Sequence, residues 1–167
     1  MLQPGQLAPM FSLPDADMET FDLKSLRGKH HAVIFFYPKD GTPFCTREAI
    51  EFSDHETEFN RQHCVIVGIS RDDCLAHADF RDKNGLSVRL LADVDGKVGH
   101  QYGVYQYREH EGQRKLCVLR STFVVDKNGV VRYALYEVPN KGHAAEVFKL
   151  VKQLNGSHHS CKSPKTR

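Results

Sequence analysis

The stretch AVIFFYPKDGTPFCTREAIEF, residues 32–52, holds the features that decide the fold. Residues 32–37 form a continuous apolar run that ends at a proline, which is typical of a buried strand. Residues 38–44 are rich in turn-forming residues, and residues 45–62 then place apolar side chains at helical spacing. Cys45 therefore lies where a loop becomes a helix, a place where unsatisfied backbone N–H groups and the helix dipole favour an anion.

The rest of the chain continues this alternation of strands and helices. Short extended segments are predicted at residues 10–14 and 20–23, further strands at 64–69, 88–91, 116–126 and 130–136, and further helices at 73–83, 96–102 and 143–154. A strand–helix–strand unit makes its strands parallel, whereas Asn128-Gly129 predicts an antiparallel hairpin. These elements predict an α/β protein with a thioredoxin-like fold, in which helices flank a mixed central β-sheet and an N-terminal extension is added.

Length and composition are those of one globular domain. The chain has 167 residues, of which 40% are hydrophobic and 26% charged, and its net charge is +2. We expect a single domain over residues 1–154 and a disordered polar tail over residues 155–167. The small net charge gives no support to nucleic-acid or membrane binding, and no apolar run approaches the roughly 20 residues that span a bilayer. Residues 1–15 lack the pattern of a secretory signal, so we expect a cytoplasmic protein.

Cys45 is the cysteine whose surroundings best suit a reactive thiol. The thiolate is the nucleophile, and a helix N-terminus together with a nearby cation favours it. The best candidate for the cation is Arg120, which begins the predicted strand RSTFVVD and keeps its charge. Thr42 can turn its hydroxyl toward the sulfur or toward a bound oxygen. Thr42 and Thr46 are also the candidate helix caps, and Glu48 is expected in the first turn.

The loop before Cys45 carries a specific signature. Residues 38–45, PKDGTPFC, match the pattern Pro-xxx-Thr-xx-Cys, and the wider text FYPKDGTPFCTREAIEFSD resembles the bacterioferritin-comigratory, or peroxiredoxin Q, subfamily of the peroxiredoxins. The resemblance extends over residues 4–154, through the segments LADVDGKVGHQYGV and RSTFVVDKNGVV. It implies a thiol-specific peroxidase that reduces hydrogen peroxide and organic hydroperoxides and needs no metal and no organic cofactor.

The resemblance also implies a role for each residue of the signature. Cys45 would be the peroxidatic cysteine, whose thiolate attacks the O–O bond and becomes a sulfenic acid. Thr42 would hydrogen bond the peroxide, and Arg120 would hold both the thiolate and the substrate. Pro38 would form a wall of the pocket, and Glu48 would orient Arg120.

Three positions depart from the subfamily pattern. Phe44 stands where glycine usually precedes the peroxidatic cysteine, so we expect a changed pocket shape with activity retained. The N–H groups of Phe44 and Cys45 are still expected to stabilise charge on the peroxide oxygens. Ile50 and Arg81 occupy the two positions at which subfamily members place a resolving cysteine, and neither is a cysteine here.

Three routes for recycling the oxidised cysteine stay open. An external thiol reduces the sulfenate directly, in a one-Cys mechanism. Alternatively, Cys74, which follows the next strand at the same end of the sheet as Cys45, is the resolving cysteine, or Cys161 in the tail takes that role. Cys64 and Cys117 lie in or beside strands and are expected to be buried space-fillers.

The expected partners are a hydroperoxide and thioredoxin or a similar reductant, with no nucleic acid and no membrane, and the protein is expected to be a monomer or a homodimer. Two other functions would use the same cysteine. One is a thiol–disulfide oxidoreductase, which the absence of a Cys-x-x-Cys pair disfavours, and the other is a redox sensor. The ten histidines show no four-ligand spacing, so no metal site is predicted.

Overall fold

The computed structural model describes residues 1–139 and 141–160, with side chains as far as residue 156. Its strands are β1 (Ser12–Pro14), β2 (Thr20–Asp22), β3 (His31–Phe36), β4 (Cys64–Ser70), β5 (Arg89–Ala92), β6 (Tyr105–His110), β7 (Gln113–Val118), β8 (Ser121–Val125) and β9 (Val131–Leu135). Its α-helices are α1 (Pro43–Arg61), α2 (Cys74–Asn84), α3 (Lys97–Gln101) and α4 (His143–Ser160), and a 3-10 helix covers Leu23–Leu26. None of the helices in this part of the chain has the length and apolar character that crossing a bilayer requires.

Five strands form the central sheet in the order β5-β4-β3-β8-β9. Strands β3, β4 and β5 run parallel, whereas β8 is antiparallel to β3 and β9 is antiparallel to β8. Helices α1 and α2 connect the parallel strands, and right-handed crossovers in one direction place both helices on the same face. The predicted mixed sheet with flanking helices is confirmed, and the antiparallel pair β1–β2 forms the predicted N-terminal extension.

Strand β3 is the centre of the core because all six of its residues are buried. Its side chains alternate between the two faces of the sheet. Phe35 belongs to the cluster that α1, α2 and α4 cover, whereas Ile34 and Phe36 belong to the cluster that the N-terminal arm and α3 cover. The rings of Phe35 and Phe52 stack with their centres 4.7 Å apart, which holds α1 against the sheet.

The prediction of a single strand over residues 116–126 is wrong. The structure has two strands there, β7 and β8, which are separated at Leu119 and Arg120. Strand β7 pairs with β6 in a hairpin outside the central sheet, whereas β8 pairs with β3. Backbone bonds hold the break, since Leu119 N donates to Val104 O at 2.7 Å and Val138 N donates to Arg120 O at 2.9 Å. Arg120 therefore lies just before β8 and does not begin it.

Helix α4 continues beyond its predicted end at residue 154. It runs to Ser160, six residues into the segment predicted as a disordered tail. The added turn has packing to support it, because the Asn155 side-chain amide donates to Gln62 O and to Gln62 Oε1 at 3.0 and 2.9 Å. The rest of the tail prediction, residues 161–167, lies outside the described residues.

The carboxyl ends of β3 and β4 and the start of β8 lie at the same end of the sheet. Phe36 of β3 lies beside Ile69 of β4 and beside Ser121 of β8. Reactive groups in open α/β sheets collect at the carboxyl ends of the parallel strands. Cys45 follows β3 and Arg120 precedes β8, so the topology brings both residues to this end of the sheet.

Candidate active site

Helix α1 begins two residues earlier than predicted. It starts at Pro43, with Thr42 as the N-cap residue, and Cys45 is its third residue. Proline suits the first helical position because no N–H is needed there. Glu48 consequently lies in the second turn, and its predicted place in the first turn is wrong. The Thr42 hydroxyl donates to Lys39 O at 3.1 Å, so the Thr42 side chain does not cap the first N–H groups of α1, which have no acceptor within the helix.

Cys45, Arg120 and Glu48 form a connected set at the start of this helix. Arg120 Nη1 lies 3.1 Å from Cys45 Sγ, and Arg120 Nη2 lies 3.3 Å from Glu48 Oε1. All three are largely removed from water, because only 1% of Cys45, 3% of the Glu48 side chain and 16% of the Arg120 side chain remain exposed. The guanidinium directs separate donors at two acceptors, which its planar fork permits.

Glu48 is held in surroundings that disfavour its charge. Burial raises the pKa of Glu48 from 4.5 to about 7, and the nearby charge of Glu51 adds to this rise, while the Arg120 guanidinium offsets part of it. Within the described residues, Glu48 Oε2 and Arg120 Nε are buried and lack a hydrogen-bond partner. Unsatisfied buried polar atoms are rare in folded proteins. Beside Cys45, the acceptor Glu48 Oε2 and the donor Arg120 Nε are therefore available for further hydrogen bonds.

The remaining signature residues lie on the outer side of this set. Phe44 is 50% exposed, and the centre of its ring lies 5.9 Å from Arg120 Cζ, at the outer limit of a cation–π contact. Pro38 is exposed, and Thr42 is half-buried with its hydroxyl bonded to Lys39 O. The roles predicted for Pro38 and Thr42 toward the substrate therefore stay predictions.

The four cysteines in the described part of the chain are all free. Cys64 is buried and pairs in register with His31, at the opposite end of the sheet from Cys45. Burial raises the pKa of the Cys64 thiol far above its ordinary value. Cys64 is thus the inert filler that its place beside a strand predicts, and Cys161 lies outside the described residues.

Two other thiols lie nearer the end of the sheet at which Cys45 lies. Cys74 is the first residue of α2, just after the end of β4, and is half-buried. Cys117 of β7 is also half-buried, so its prediction as a buried filler is wrong. Cys117 and Arg120 line the same open cavity of about 410 Å³ between the β6–β7 hairpin and the segment after β9.

The sequence reasoning missed the residues that hold the loop before Cys45. The Tyr37 hydroxyl donates to Asp40 Oδ1 at 2.6 Å, and His77 Nδ1 lies 2.7 Å from Asp40 Oδ2. Asp40, Asp72 and His77 form the one group of three side chains, among the described residues, that could hold a metal ion. Their polar atoms are engaged by one another and by neighbouring groups, which an ion would have to displace. Only the position of Asp40 inside the signature could have pointed to this cluster.

His143 is a second buried residue that the sequence reasoning missed. It begins α4, and its Nε2 lies 2.8 Å from the hydroxyl of Thr122, which is two residues after Arg120. Burial, and then the charge of Arg120, lower the pKa of His143 to about 4. His143 is therefore neutral at neutral pH and does not add to the positive charge that Arg120 supplies.

Comparisons with known proteins agree with this geometry. The AhpC/TSA family matches residues 4–134. A Helicobacter pylori relative of the bcp type is 42% identical over 148 residues, which cover 89% of this chain and 97% of that protein. Peroxiredoxin Bcp of Bacillus subtilis is 35% identical over 151 residues, covering 90% and 96%. The bacterioferritin comigratory protein of Xanthomonas campestris, a structure concerned with alkyl peroxide reduction, has a TM-score of 0.83 at 31% identity and covers 86% and 91%.

These matches and the Cys45–Arg120 contact define a thioredoxin-like peroxidase. The chain belongs to the AhpC/TSA family, as a peroxiredoxin of the Bcp or peroxiredoxin Q kind. It is a thiol peroxidase, with a peroxide as its substrate and a thiol as its reductant. The fold and the activity that the signature implies are thereby confirmed.

Proposed function

We propose that Cys45 is the thiol that reacts with the hydroperoxide and that Arg120 is its charge partner. The observation that carries this assignment is the 3.1 Å contact between Arg120 Nη1 and Cys45 Sγ at the first turn of α1. A guanidinium and a helix N-terminus both stabilise negative charge on a nearby atom. Glu48 is the positioning residue that holds the second Nη of Arg120, and the sulfur is kept as a thiolate.

The reaction transfers one oxygen atom to sulfur. The Cys45 thiolate attacks the terminal oxygen of the hydroperoxide, an S–O bond forms, and the O–O bond breaks. The electron pair leaves with the second oxygen, which takes the proton of the hydroperoxide and departs as water or an alcohol, leaving Cys45 as a sulfenate. Arg120 and the N–H groups of Phe44 and Cys45 stabilise the charge on the departing oxygen. Thr42 turns its hydroxyl from Lys39 O to the peroxide.

The residues at the entrance decide which peroxides reach the sulfur. Cys45 is almost fully covered, so a peroxide must pass Phe44, whose ring is half-exposed beside Arg120. Pro38 forms the opposite wall. The substrates are hydrogen peroxide and organic hydroperoxides, and the large ring at position 44 in place of glycine narrows the path and offers apolar contact to an alkyl group.

Substitution of Cys45 tests the assignment. We expect Cys45→Ser to abolish peroxide consumption in the presence of excess dithiothreitol, because the hydroxyl is not ionised at neutral pH. Cys64→Ala is the matched control, since Cys64 lies at the opposite end of the sheet from Cys45, and it is expected to keep the wild-type rate. Full turnover in Cys45→Ser would assign the reaction to another thiol. Reduction of insulin disulfides without peroxide consumption would instead favour a thiol–disulfide oxidoreductase.

We further propose Cys74 as the resolving cysteine. It begins α2 at the same end of the sheet as Cys45, and it is half-buried. The first turn of a helix opens at a low cost in free energy. Its thiol attacks the sulfur of the Cys45 sulfenic acid, an S–S bond forms, and the S–O bond breaks with loss of water. Thioredoxin or a similar dithiol then reduces the disulfide.

Mass spectrometry of the peroxide-treated protein tests this route. A link between Cys45 and Cys74 supports it, whereas a link to Cys117 would transfer the role to the hairpin and a link to Cys161 would transfer it to the tail. A stable Cys45 sulfenate that small thiols reduce would establish the one-Cys mechanism. A cytoplasmic location and a monomeric or homodimeric state complete the proposal, and sedimentation of the reduced protein measures the second.

A further inference from the structure

His77 is a buried titratable residue that the peroxidase chemistry described above does not use. It lies in the first turn of α2, and its side chain is 0% exposed. Its Nδ1 lies 2.7 Å from Asp40 Oδ2, and its Nε2 lies 2.9 Å from the backbone oxygen of Leu91 in β5. Each ring nitrogen therefore faces an oxygen at hydrogen-bond distance, Nδ1 the carboxyl group of Asp40 and Nε2 the carbonyl of Leu91.

Asp40 is the point at which the loop before α1 is fastened. Besides His77, its carboxylate accepts a hydrogen bond of 2.6 Å from the Tyr37 hydroxyl at the end of β3. Its backbone N–H donates to Asp72 Oδ2 at 2.8 Å, and the Ser70 hydroxyl donates to the same oxygen at 2.6 Å. One residue of the loop is thus tied to the end of β3, to the segment after β4 and to α2.

We propose that His77 is a positioning residue for Cys45, because its contact with Asp40 fixes the loop that delivers Cys45 to Arg120. The proposal rests on the proposed role of Cys45 as the reacting thiol. Asp40 precedes Cys45 by five residues, and Gly41 between them takes a φ of 84°, which commits the chain to one path into α1. A misplacement of about 1 Å at a reacting group costs up to about 10²-fold in rate, so this fastening bears directly on the chemistry.

The surroundings of His77 explain why the loop depends on it. The groups that face it are Asp40 from the loop, Tyr37 just after β3 and the Leu91 carbonyl from β5. A carboxylate oxygen of Asp72 also lies within 4.8 Å of a His77 ring nitrogen. Removing one partner of a buried hydrogen bond leaves the other partner unsatisfied, which is costly away from water. Without the Nδ1 donor, the Asp40 carboxylate is expected to move toward water and to take the loop with it.

Two substitutions separate positioning from simple support of α2. In His77→Asn the amide nitrogen occupies the place of Nδ1, so the bond to Asp40 is kept and the bond to Leu91 O is lost. In His77→Gln the amide nitrogen occupies the place of Nε2, so the bond to Leu91 O is kept and the bond to Asp40 is lost. The full-length proteins are compared by the rate of Cys45 oxidation by hydrogen peroxide and by the pH profile of Cys45 alkylation. Urea unfolding of each variant reports its stability.

We expect His77→Gln to slow Cys45 oxidation by about tenfold or more and to move its alkylation profile to higher pH, with His77→Asn staying within about threefold of the wild type. Equal rates in the two variants, or losses that only follow the loss of stability, would overturn the proposal. If His77→Gln does not fold, Asp40→Ala provides the same test, because it removes the acceptor of the Nδ1 contact and must slow Cys45 oxidation to a similar extent. A wild-type Cys45 that does not react with peroxide would refute the proposed function itself, whatever the variants show.

Discussion

At the scale of single residues, Arg120 serves two partners whose demands differ. The Cys45 sulfur needs the full positive charge of the guanidinium, whereas an ionised Glu48 at 3.3 Å would neutralise part of it. The raised pKa of Glu48, about 7, limits this competition because the buried carboxyl is partly protonated at neutral pH. Under the proposed mechanism, Glu48 orients Arg120 through Oε1 and takes less of the guanidinium's positive charge away from the Cys45 sulfur.

Stability should depend on pH through Glu48. Between its ordinary value of 4.5 and about 7, the unfolded chain loses the Glu48 proton while the folded protein keeps it, so stability falls as pH rises through this window. Glu48→Gln mimics the protonated acid. We therefore expect it to match the wild type at pH 4.5 and to be more stable at pH 8, by on the order of 3 kcal/mol. Urea unfolding of both proteins at the two pH values measures the difference.

The comparison between variant and wild type removes a second titration from this measurement. The pKa of His143 is lowered to about 4, so its contribution to stability rises with pH from about 4 to 6.5, opposite to that of Glu48. This contribution is common to both proteins and cancels. An equal stability difference at pH 4.5 and pH 8 would show that Glu48 is not held protonated by burial.

At the scale of elements, the first turn of α2 carries both Cys74 and His77. Its N-cap is Asp73, whose side chain accepts a hydrogen bond from Ala76 N at 2.8 Å. Losing such a cap costs about 1 kcal/mol. If Cys74 reaches Cys45 only when this turn opens, the cap slows the formation of the disulfide.

Removing the cap of α2 should therefore speed resolution. We expect Asp73→Ala to form the Cys45–Cys74 disulfide about fivefold faster after a peroxide pulse, as about 1 kcal/mol less resistance to opening implies. Asp22→Ala is the matched control because it removes the corresponding bond to Lys24 N at the 3-10 helix, and it should leave the rate unchanged. Rapid quenching followed by mass spectrometry gives the rates, and equal rates in Asp73→Ala and wild type would exclude opening of this turn as the slow step.

The elements also show what sequence patterns can and cannot predict. The parallel unit around α1 was predictable, because the apolar run of residues 32–37 and the turn residues after it are local signals. The division between β7 and β8 was not, since residues 116–126 contain no Gly, Pro or Asn that would divide a strand, and only the exchange of partner from β6 to β3 creates the break. Likewise, Cys45 and Thr42 stand in a local signature, whereas His77 acquires its role through contacts 37 and 14 residues distant that no nearby residue announces.

At the scale of the whole molecule, the two ends of the central sheet hold cysteines in different surroundings. Cys64 at one end is buried in the core, while Cys45 and Cys74 lie in the first turns of two helices at the other end. A disulfide needs its sulfur atoms about 2 Å apart. Cys45 is buried against Arg120 and Cys74 is the first residue of α2, so the proposed Cys45–Cys74 disulfide would require the segments that carry them to rearrange while the rest of the sheet stays in place.

Hydrogen exchange should detect this division of the molecule. In the oxidised protein we expect the amides of the loop before α1 and of the first turns of α1 and α2 to exchange faster than in the reduced protein, because the Asp40–His77 fastening opens with them. The amides of β3, β4 and β8 should exchange at unchanged rates, since the core clusters that cover them are not disturbed. Cys74→Ser treated with peroxide is the control, because it carries the oxidised Cys45 without the disulfide and should keep α2 protected. Faster exchange throughout the sheet, or α2 loosened equally in Cys74→Ser, would contradict a local rearrangement driven by the Cys45–Cys74 bond.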